Sequence, residues 1–269
     1  MESVLEFKHI SKYFPGVKAL DDICFKAYGG EVLAFLGENG AGKSTLLKVL
    51  NGDYKPDAGE YLLNGEQKHF KSPQEAIEEG ISVIYQERQI LLELSVAENI
   101  YLGRMPSNRF GVINTAKANQ MAQKIIEDFG LPISPSTKVK DLSIAYQQMV
   151  EIMKAYSRDN LKVICFDEPT ASLSDAEIDS LFAVIEKLKA QGKIVIYVSH
   201  RMDEIRRITD KVAIFKDGRY IDTVVTAETD EKDMIKMMVG RDLGDIYAKL
   251  DKNKEIGGVL LEVKDVSSD

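Results

Sequence analysis

The chain has 269 residues, of which 44% are hydrophobic and 29% are charged, and its formal net charge at pH 7 is −8. Such a composition is typical of a globular protein with a substantial core, and the acidic balance argues against a protein that binds bare nucleic acid. The sequence has no apolar run of the ~18–20 residues that a membrane-spanning helix needs, and we expect no signal peptide at its start.

Strand and helix patterns alternate from the first residues onward. The segment from Val4 to Ile10 alternates apolar and polar side chains, as a half-buried strand does, and Ile23 to Tyr28 predicts another strand. Val32 to Leu36 is continuously apolar, which is typical of a fully buried strand in a parallel sheet. After a glycine-rich loop, Lys43 to Leu50 predicts a helix that ends at Asn51-Gly52.

Further buried strands and helices are predicted downstream. The predicted strands are Ile81–Tyr85, Lys162–Phe166 and Lys193–Val198. The predicted helices are Pro73–Glu79, Thr115–Phe129, Ile144–Ser157, Asp175–Ala190 and Met202–Thr209. Apolar strands that alternate with helices indicate an α/β domain with a largely parallel sheet. The stretch from about residue 88 to 160 lacks strand patterns, and we interpret it as an inserted helical subdomain.

The end of the chain repeats its beginning. Residues 260–267 have the sequence LLEVKDVS and residues 4–11 have VLEFKHIS, so Leu, Glu, Lys and Ser coincide without a gap. Chance likeness between two short alternating strands is the alternative, and we favour a true repeat. The predicted organisation is therefore one domain over residues 1–241, a linker over 242–258, and the first strand of a second copy over 259–269.

The loop after the third predicted strand has the pattern G-x-x-x-x-G-K-[ST]. It follows a buried strand and opens a helix, which is the context that phosphate binding requires. Glycines let backbone N–H groups face a phosphate, and the helix N-terminus adds positive partial charge. We expect Lys43 to reach the β- and γ-phosphates of ATP and the Ser44 hydroxyl to ligate Mg²⁺. The predicted nucleotide-binding residues of this loop are Gly37, Glu38, Asn39, Gly40, Ala41, Gly42, Lys43, Ser44 and Thr45.

The ends of later strands supply further candidate catalytic side chains. Asp167 and Glu168 close an apolar strand, where Asp167 is expected to hold Mg²⁺ and Glu168 to polarise the attacking water. His200 follows another buried strand and is predicted to sense the γ-phosphate, although a lone histidine is more often structural. Gln86 occupies the same kind of position. Parallel strands present ligands at their carboxyl ends, which favours a shared role for these residues.

The two cysteines, and the two histidines other than His200, do not occur in a motif of a metal or catalytic site. Cys24 and Cys165 lie far apart in apolar runs without metal-ligand spacing, so we expect two reduced core thiols. His9 and His69 follow no strand that ends near the phosphate loop, and we assign them no role.

Together these motifs resemble the ATP-binding-cassette (ABC) family, and the likeness covers residues 2–241. The phosphate loop resembles the Walker A motif, and Val163 to Glu168 resembles Walker B with its catalytic glutamate. Gln86 resembles the Q-loop glutamine, and His200 resembles the switch histidine. The resemblance implies an ATPase with a P-loop fold, a parallel-sheet core, an N-terminal antiparallel β part and an inserted helical subdomain.

The resemblance also assigns individual roles. It makes Lys43, Gln86, Glu168 and His200 the catalytic set, and it adds Gln86 to Ser44 and Asp167 as a Mg²⁺ ligand. Phe14 aligns with the aromatic residue that stacks on adenine, a contact that tolerates several aromatic side chains.

Two alternatives stay open at the predicted adenine contact. Tyr13 could replace Phe14 as the stacking residue, or Phe14 could serve core packing alone.

The family signature Leu-Ser-Gly-Gly-Gln is altered in this chain. The corresponding residues are Leu142, Ser143, Ile144, Ala145, Tyr146 and Gln147. The resemblance places Ala145 where a glycine approaches the γ-phosphate of an ATP held by an opposite domain. A methyl group at such a close contact is expected to weaken one of the two composite ATP sites.

The altered signature resembles that of the first domain of tandem ATPases that drive monosaccharide importers. This likeness implies a second ABC domain of the same chain, membrane permease subunits and an external sugar-binding protein as partners, with no nucleic acid. It places the protein at the cytoplasmic face of the cell membrane and leaves ribose, galactose and xylose open as the sugar.

Other functions remain open on the sequence alone. A nucleoside importer of the same tandem design would differ only in its partners, and a tandem ABC protein that acts on ribosomes would not transport anything. A P-loop kinase is a third possibility, against which Glu168 and His200 argue.

Overall fold

The computed structural model describes residues 3–87, 89–171 and 173–240. Within these ranges no helix combines the length and the apolar character needed to span a membrane. The predicted linker and the predicted repeat at residues 259–269 lie outside the described residues, so the proposed second copy stays a prediction.

The described residues form two sheets and a set of helices. The strands are β1 (Val4–Phe14), β2 (Val17–Tyr28), β3 (Val32–Leu36), β4 (Ala58–Leu63), β5 (Glu66–Lys68), β6 (Ile81–Ile84), β7 (Val163–Asp167), β8 (Ile194–Val198), β9 (Lys211–Lys216) and β10 (Arg219–Val225). The helices are α1 (Lys43–Leu50), α2 (Pro73–Glu78), α3 (Val96–Ile100), α4 (Thr115–Phe129), α5 (Ile144–Tyr156), α6 (Asp175–Ala190), α7 (Met202–Ile208) and α8 (Glu231–Val239).

The larger sheet has the order β10-β9-β3-β8-β7-β6 among the described strands. The strands from β9 to β6 pair in parallel, and β10 pairs antiparallel with β9 at the edge. Every residue of β3, β7 and β8 is buried, which explains their continuous apolar runs. The predicted α/β core with a largely parallel sheet is therefore confirmed.

The smaller sheet is antiparallel throughout and has the order β2-β1-β4-β5. It packs its apolar face against the larger sheet in a common core that contains Phe7, Phe25, Phe35 and Phe215. The ring of Phe25 in β2 lies edge-on to that of Phe35 in β3, with 5.5 Å between centroids. The antiparallel β part implied by the resemblance is thus present at the N-terminal end.

The segment between β6 and β7 forms the predicted helical subdomain. Helices α3, α4 and α5 share an apolar cluster with the other face of the larger sheet. The buried amide of Asn99 in α3 fastens the preceding loop, because it donates to the Leu91 carbonyl at 2.9 Å and accepts the Leu91 N–H at 2.8 Å. A polar side chain thereby satisfies backbone groups that the loop buries.

Several elements were not predicted from the sequence. Strands β4, β5, β9 and β10 and the short helix α3 were not predicted, and β1 and β2 extend beyond the predicted bounds. β5 has three polar residues, and much of β10 is exposed at a sheet edge, so neither shows a buried apolar face. Their pairing partners, rather than their own side chains, define these strands.

A bulge in the β1–β2 pair overturns one prediction. Lys8 and His9 together face the single residue Cys24 in this pairing. His9 has φ 54°, and its Nδ1 lies 2.7 Å from a carboxylate oxygen of Asp22, which has φ 61°. The sulfur of Cys24 accepts the His9 N–H at 3.1 Å. Cys24 is therefore half-buried and the prediction of a core thiol is wrong for it, whereas Cys165 is fully buried.

Candidate nucleotide-binding site

Neighbouring strands bring the predicted residues to one edge of the parallel sheet. The phosphate loop follows β3, and His200 follows β8, its direct neighbour. Asp167 and Glu168 lie at the end of β7, which pairs with β8, and Gln86 follows β6, which pairs with β7. The sheet order therefore places all four carboxyl ends side by side, as expected for an α/β ligand site.

Two glycines of the phosphate loop, Gly37 and Gly42, lie too close to neighbouring backbone for any side chain. Gly42 caps α1 with φ 98°, and a Cβ atom there would lie 2.5 Å from the carbonyl oxygen of Ala19. A Cβ atom on Gly37 would lie 2.6 Å from the carbonyl oxygen of Phe215. The loop is held tightly between the two sheets, with no room for a side chain at either position.

The Lys43 side chain is buried against its own loop. Its Nζ donates hydrogen bonds to the carbonyl oxygens of Gly37 at 2.7 Å and Glu38 at 3.1 Å. Burial lowers the pKa of Lys43, while the charges of Glu168 and Asp167 oppose that shift. The ammonium group thus has neutral partners that a charged phosphate could outcompete.

Oxygen ligands for a divalent cation meet next to the loop. The Ser44 hydroxyl lies 3.5 Å from Oδ1 of Asp167, and both residues line a cleft that also contains Gln86. Burial raises the pKa of Asp167, and the Ser44 hydroxyl partly offsets this by hydrogen bonding to the carboxylate. Hydroxyl, amide and carboxylate oxygens are the hard donors that Mg²⁺ prefers, so the donor set fits this ion.

Glu168 and His200 contact each other across the ends of β7 and β8. The Oε1 atom of Glu168 lies 3.1 Å from Nδ1 of His200, and both residues border the loop segment 37–39. Glu168 has φ 49°, and its N–H donates to the carbonyl oxygen of Val198 at 3.0 Å. Strained backbone of this kind is often found at functional positions, where surrounding contacts hold it in place.

The sequence of this site matches a known family. The profile described as ABC transporter matches residues 20–171, which is more than half of the chain. The chain belongs to the ABC transporter family. The matched range contains the phosphate loop, the Gln86 position, the altered signature and the Asp167–Glu168 pair, and His200 lies beyond it.

Curated relatives of this ABC protein carry a transport name. The arabinose import ATP-binding protein AraG of Mannheimia succiniciproducens is 47% identical over 266 residues, covering 98% of this chain and 52% of that protein. AraG of Escherichia coli O6:K15:H31 is 50% identical over 244 residues, covering 90% of this chain and 48% of that protein. The chain thus spans about half the length of these relatives.

Solved structures share the fold. A nucleotide-free ATP-binding cassette from an ABC transporter has a TM-score of 0.73 and 28% identity, covering 92% of this chain and 99% of its own. The ADP conformation of MJ1267, an ATP-binding cassette of an ABC transporter, has a TM-score of 0.73 and 27% identity, covering 93% and 99%. The nucleotide site described above therefore lies in an ABC cassette.

The predicted adenine contact of this ABC protein is only partly defined. The Phe14 ring is partly exposed and lies edge-on to Tyr54, with 5.3 Å between centroids. Tyr13 is more exposed, and Lys18 Nζ lies 5.8 Å from its ring centroid. The stacking role of Phe14 stays a prediction.

The altered ABC signature lies at the start of α5. Ser143 caps this helix and accepts the N–H of Tyr146 at 3.3 Å. The Gln147 amide turns inward and donates to the carbonyl oxygens of Val139 at 3.2 Å and Leu142 at 3.1 Å. Ala145 is buried. These contacts order the signature within the helical subdomain, and the predicted contact of Ala145 with a second domain stays a prediction.

Sequence reasoning missed residues that border the site. Val17 and Ala19 border the phosphate loop, and Asp53 and Tyr85 line the cleft beside Gln86. The Tyr85 hydroxyl donates to Asp53 at 2.6 Å, and burial together with this carboxylate raises the pKa of Tyr85. No motif marks these positions, because their proximity arises only when the loops after α1 and β6 fold together.

Proposed function

We propose that this chain binds and hydrolyses ATP to drive the import of a monosaccharide by an ABC transporter. The observation that carries the proposal is the meeting of Lys43, the Ser44–Asp167 pair and the Glu168–His200 pair at one sheet edge. A phosphate anchor, a cation site and a base with its partner are the parts that nucleotide hydrolysis requires.

The proposed chemistry assigns one task to each side chain. Lys43 and the loop N–H groups bind the β- and γ-phosphates. Glu168 accepts a hydrogen bond from the attacking water and draws its proton away as the oxygen approaches the γ-phosphorus. His200 lies within hydrogen-bond distance of Glu168, and this contact supports a role in orienting the carboxylate. We also assign His200 the predicted contact with the γ-phosphate.

Magnesium is the cation we propose for this site. Ser44, Gln86 and Asp167 would hold it, since these three residues line the same cleft and each carries a side-chain oxygen. Bound there, Mg²⁺ would neutralise phosphate charge, and it would also favour the ionised form of Asp167 that burial opposes.

The proposed substrate follows from the relatives. The likeness to monosaccharide importers left ribose, galactose and xylose open, and the two AraG relatives are named for arabinose import. We therefore propose arabinose as the first sugar to test. The proposed partners are a second ABC domain, membrane permease subunits and, indirectly, an external sugar-binding protein, with the ATPase at the cytoplasmic face of the membrane.

Sugar uptake by intact cells tests this function directly. Cells of the native host that carry the wild-type gene or Lys43→Ala would be given radiolabelled arabinose, ribose, galactose or xylose in separate assays. We expect uptake of arabinose to depend on Lys43 and uptake of the unrelated sugars to be unchanged.

Two other results would redirect the proposal. Lys43-dependent uptake of another sugar would replace arabinose and keep the transport function. Normal uptake of every sugar, with the protein recovered on ribosomes instead of membranes, would overturn transport while leaving the ATP site in place.

A further inference from the structure

A buried carboxylate beside the nucleotide site takes no part in the chemistry proposed above. The side chain of Glu204 in α7 is only 3% exposed. Its Oε1 accepts the Thr170 hydroxyl at 2.7 Å and pairs with an Arg201 nitrogen at 2.8 Å. Its Oε2 accepts the hydroxyls of Tyr197 and Ser199, each at 2.9 Å. Each carboxylate oxygen has two partners, so the buried charge is well satisfied.

These partners lie on both chain segments that present the Glu168–His200 pair. Thr170 follows Glu168 by two residues, where the chain leaves β7. Ser199 directly precedes His200, where the chain leaves β8. One carboxylate therefore joins two segments that are distant in sequence, at the point where each presents a proposed catalytic side chain.

The ends of the two strands are also joined by their backbones, because the Glu168 N–H donates to the Val198 carbonyl oxygen at 3.0 Å, but this bond does not fix either side chain of the pair. The His200 side chain is 65% exposed, so core packing does not fix its ring. Glu168 adopts a left-handed φ that a non-glycine residue keeps only under constraint from its surroundings. Buried hydrogen-bond networks of this kind provide such constraint, because breaking any member leaves polar groups unsatisfied.

We propose that Glu204 is a positioning residue that holds Glu168 and His200 in contact through Thr170 and Ser199. The inference rests on the proposed function for its catalytic consequence, and the contact between the pair can be measured without turnover. Burial and the Glu204 charge raise the pKa of Tyr197, so this hydroxyl keeps its proton and its hydrogen bond near neutral pH.

Steady-state kinetics of the assembled transporter provide the first test. Because small displacements of catalytic groups are costly, Glu204→Ala should lower kcat for ATP hydrolysis by about tenfold to about a hundredfold. The KM for ATP should stay within about twofold of wild type, since the groups that bind phosphate lie on the β3–α1 loop. Asp203→Ala is the matched control, because it removes a neighbouring carboxylate that is 71% exposed.

The second test follows the histidine ring in the purified 269-residue chain. The chain has three histidines, so the His200 signal in an NMR spectrum of ¹³C-labelled histidine can be assigned with His200→Gln. In the wild-type protein, Glu168→Gln should shift this signal because the two side chains are in contact. With Glu204→Ala already present, Glu168→Gln should no longer shift it.

The outcomes separate the two proposals. An unchanged kcat in Glu204→Ala, together with a His200 signal that still responds to Glu168→Gln, would overturn the role of Glu204. If Glu204→Ala does not fold, the double variant Thr170→Val/Ser199→Ala is used instead, because it removes the hydrogen bonds from both segments to Glu204. In this variant, Glu168→Gln must no longer shift the His200 signal. If the wild-type transporter has no ATP turnover, the proposed function fails and the NMR comparison still decides the role of Glu204.

Discussion

At the residue scale, the site is governed by buried charges. Lys43 is buried and hydrogen-bonded to two backbone carbonyl oxygens. Asp167 is buried near Glu168, whose charge adds to the cost of ionisation. Buried charges with shifted pKa values are common at functional sites.

Replacing Lys43 tests the phosphate anchor. Lys43→Ala should weaken ATP binding by about a hundredfold, since one partner of a buried charge pair is removed. Binding of a fluorescent ATP analogue to the purified chain measures this loss. Lys117→Ala is the control, because Lys117 is an exposed lysine in the first turn of another helix. If Lys43→Ala binds the ATP analogue as tightly as wild type does, the assignment of this loop to phosphate binding is wrong.

Replacing Glu168 tests the base. Glu168→Gln should reduce ATP turnover in the assembled transporter by about a hundredfold or more, the usual contribution of a general base. ATP binding should persist, because the Lys43 contacts are untouched. Glu127→Gln in α4 serves as a control on an exposed helix face. Turnover equal to wild type would show that another group accepts the proton.

The raised pKa of Asp167 predicts a pH-dependent gain in stability on substitution. Because the folded-state pKa lies above the usual 3.8, folding becomes less favourable as pH rises through the interval between these values. Asp167→Asn lacks this penalty, so at pH 7 its melting temperature should exceed that of wild type.

Thermal unfolding across a pH series checks the sign of this effect. The advantage of Asp167→Asn should shrink as pH falls toward 3.8, where the wild-type carboxyl becomes neutral in the folded protein. An advantage that grows toward acid pH would contradict the assignment of burial as the dominant cause. ATP hydrolysis should be impaired in the same variant, because the proposed cation ligand is lost.

At the element scale, glycines in the smaller sheet differ in what they tolerate. Gly59 is the second residue of β4, Gly65 lies in the turn between β4 and β5, and each has φ 81°. A Cβ atom on Gly59 would collide with the backbone carbonyl oxygens of Lys8 and His9, where β1 bulges. No atom lies within 4 Å of a Cβ atom built on Gly65. An alanine at position 65 would therefore meet backbone strain alone, whereas an alanine at position 59 would meet backbone strain and a steric clash.

Alanine substitution at both glycines makes this difference measurable. Gly65→Ala should cost about 1–2 kcal/mol of unfolding free energy, the usual penalty for a left-handed alanine. Gly59→Ala should cost about 1–3 kcal/mol more, because the bulge must also move. Urea denaturation of both variants gives the comparison. Equal losses would show that the bulge yields without cost.

The elements that the sequence predicts well are those whose own side chains define them. α4 and α6 have the bounds that their apolar periodicity indicates, and the buried strands β3 and β7 were found by their apolar runs. β9 and β10 were missed, although β9 pairs directly with β3 in the core. β9 has a buried apolar run of its own, Val212 to Phe215, whereas β10 has no buried residue and is defined by its pairing with β9.

At the scale of the whole molecule, the altered signature and the phosphate loop belong to different parts. The signature lies at the start of α5 in the helical subdomain, and the phosphate loop lies between β3 and α1. The family resemblance implies that each ATP also needs the signature of an opposite domain. In the expected pair of composite ATP sites, the signature that contains Ala145 should contact its ATP more weakly than the signature of the other domain does.

Separating binding from hydrolysis tests this arrangement. The purified 269-residue chain should bind ATP normally and turn it over about a hundredfold more slowly than the assembled transporter, because donors to the transition state are missing. Comparing the ATPase rate per site in the two preparations is the measurement. Full turnover by the isolated chain, at concentrations where it is monomeric, would show that one cassette is catalytically complete.

The sequence by itself determined the α/β class and the motifs of the candidate site. The spacing of Lys43 and Ser44, the Asp167–Glu168 pair and the strand-end residues Gln86 and His200 were all visible in it, because each is a local pattern next to a buried strand. The α/β class followed from the same alternation of apolar strands and helices. Local patterns suffice where the motif and its structural context are adjacent in the chain.

Only the tertiary structure decided how these parts meet. The 3.1 Å contact of Glu168 with His200, the cleft that Asp53 and Tyr85 share with Gln86, and the network around Glu204 join segments that are far apart in sequence. The half-buried position of Cys24 depends on a bulge in β1. Such contacts arise from strand order and register, and these depend on long-range packing that no local pattern records.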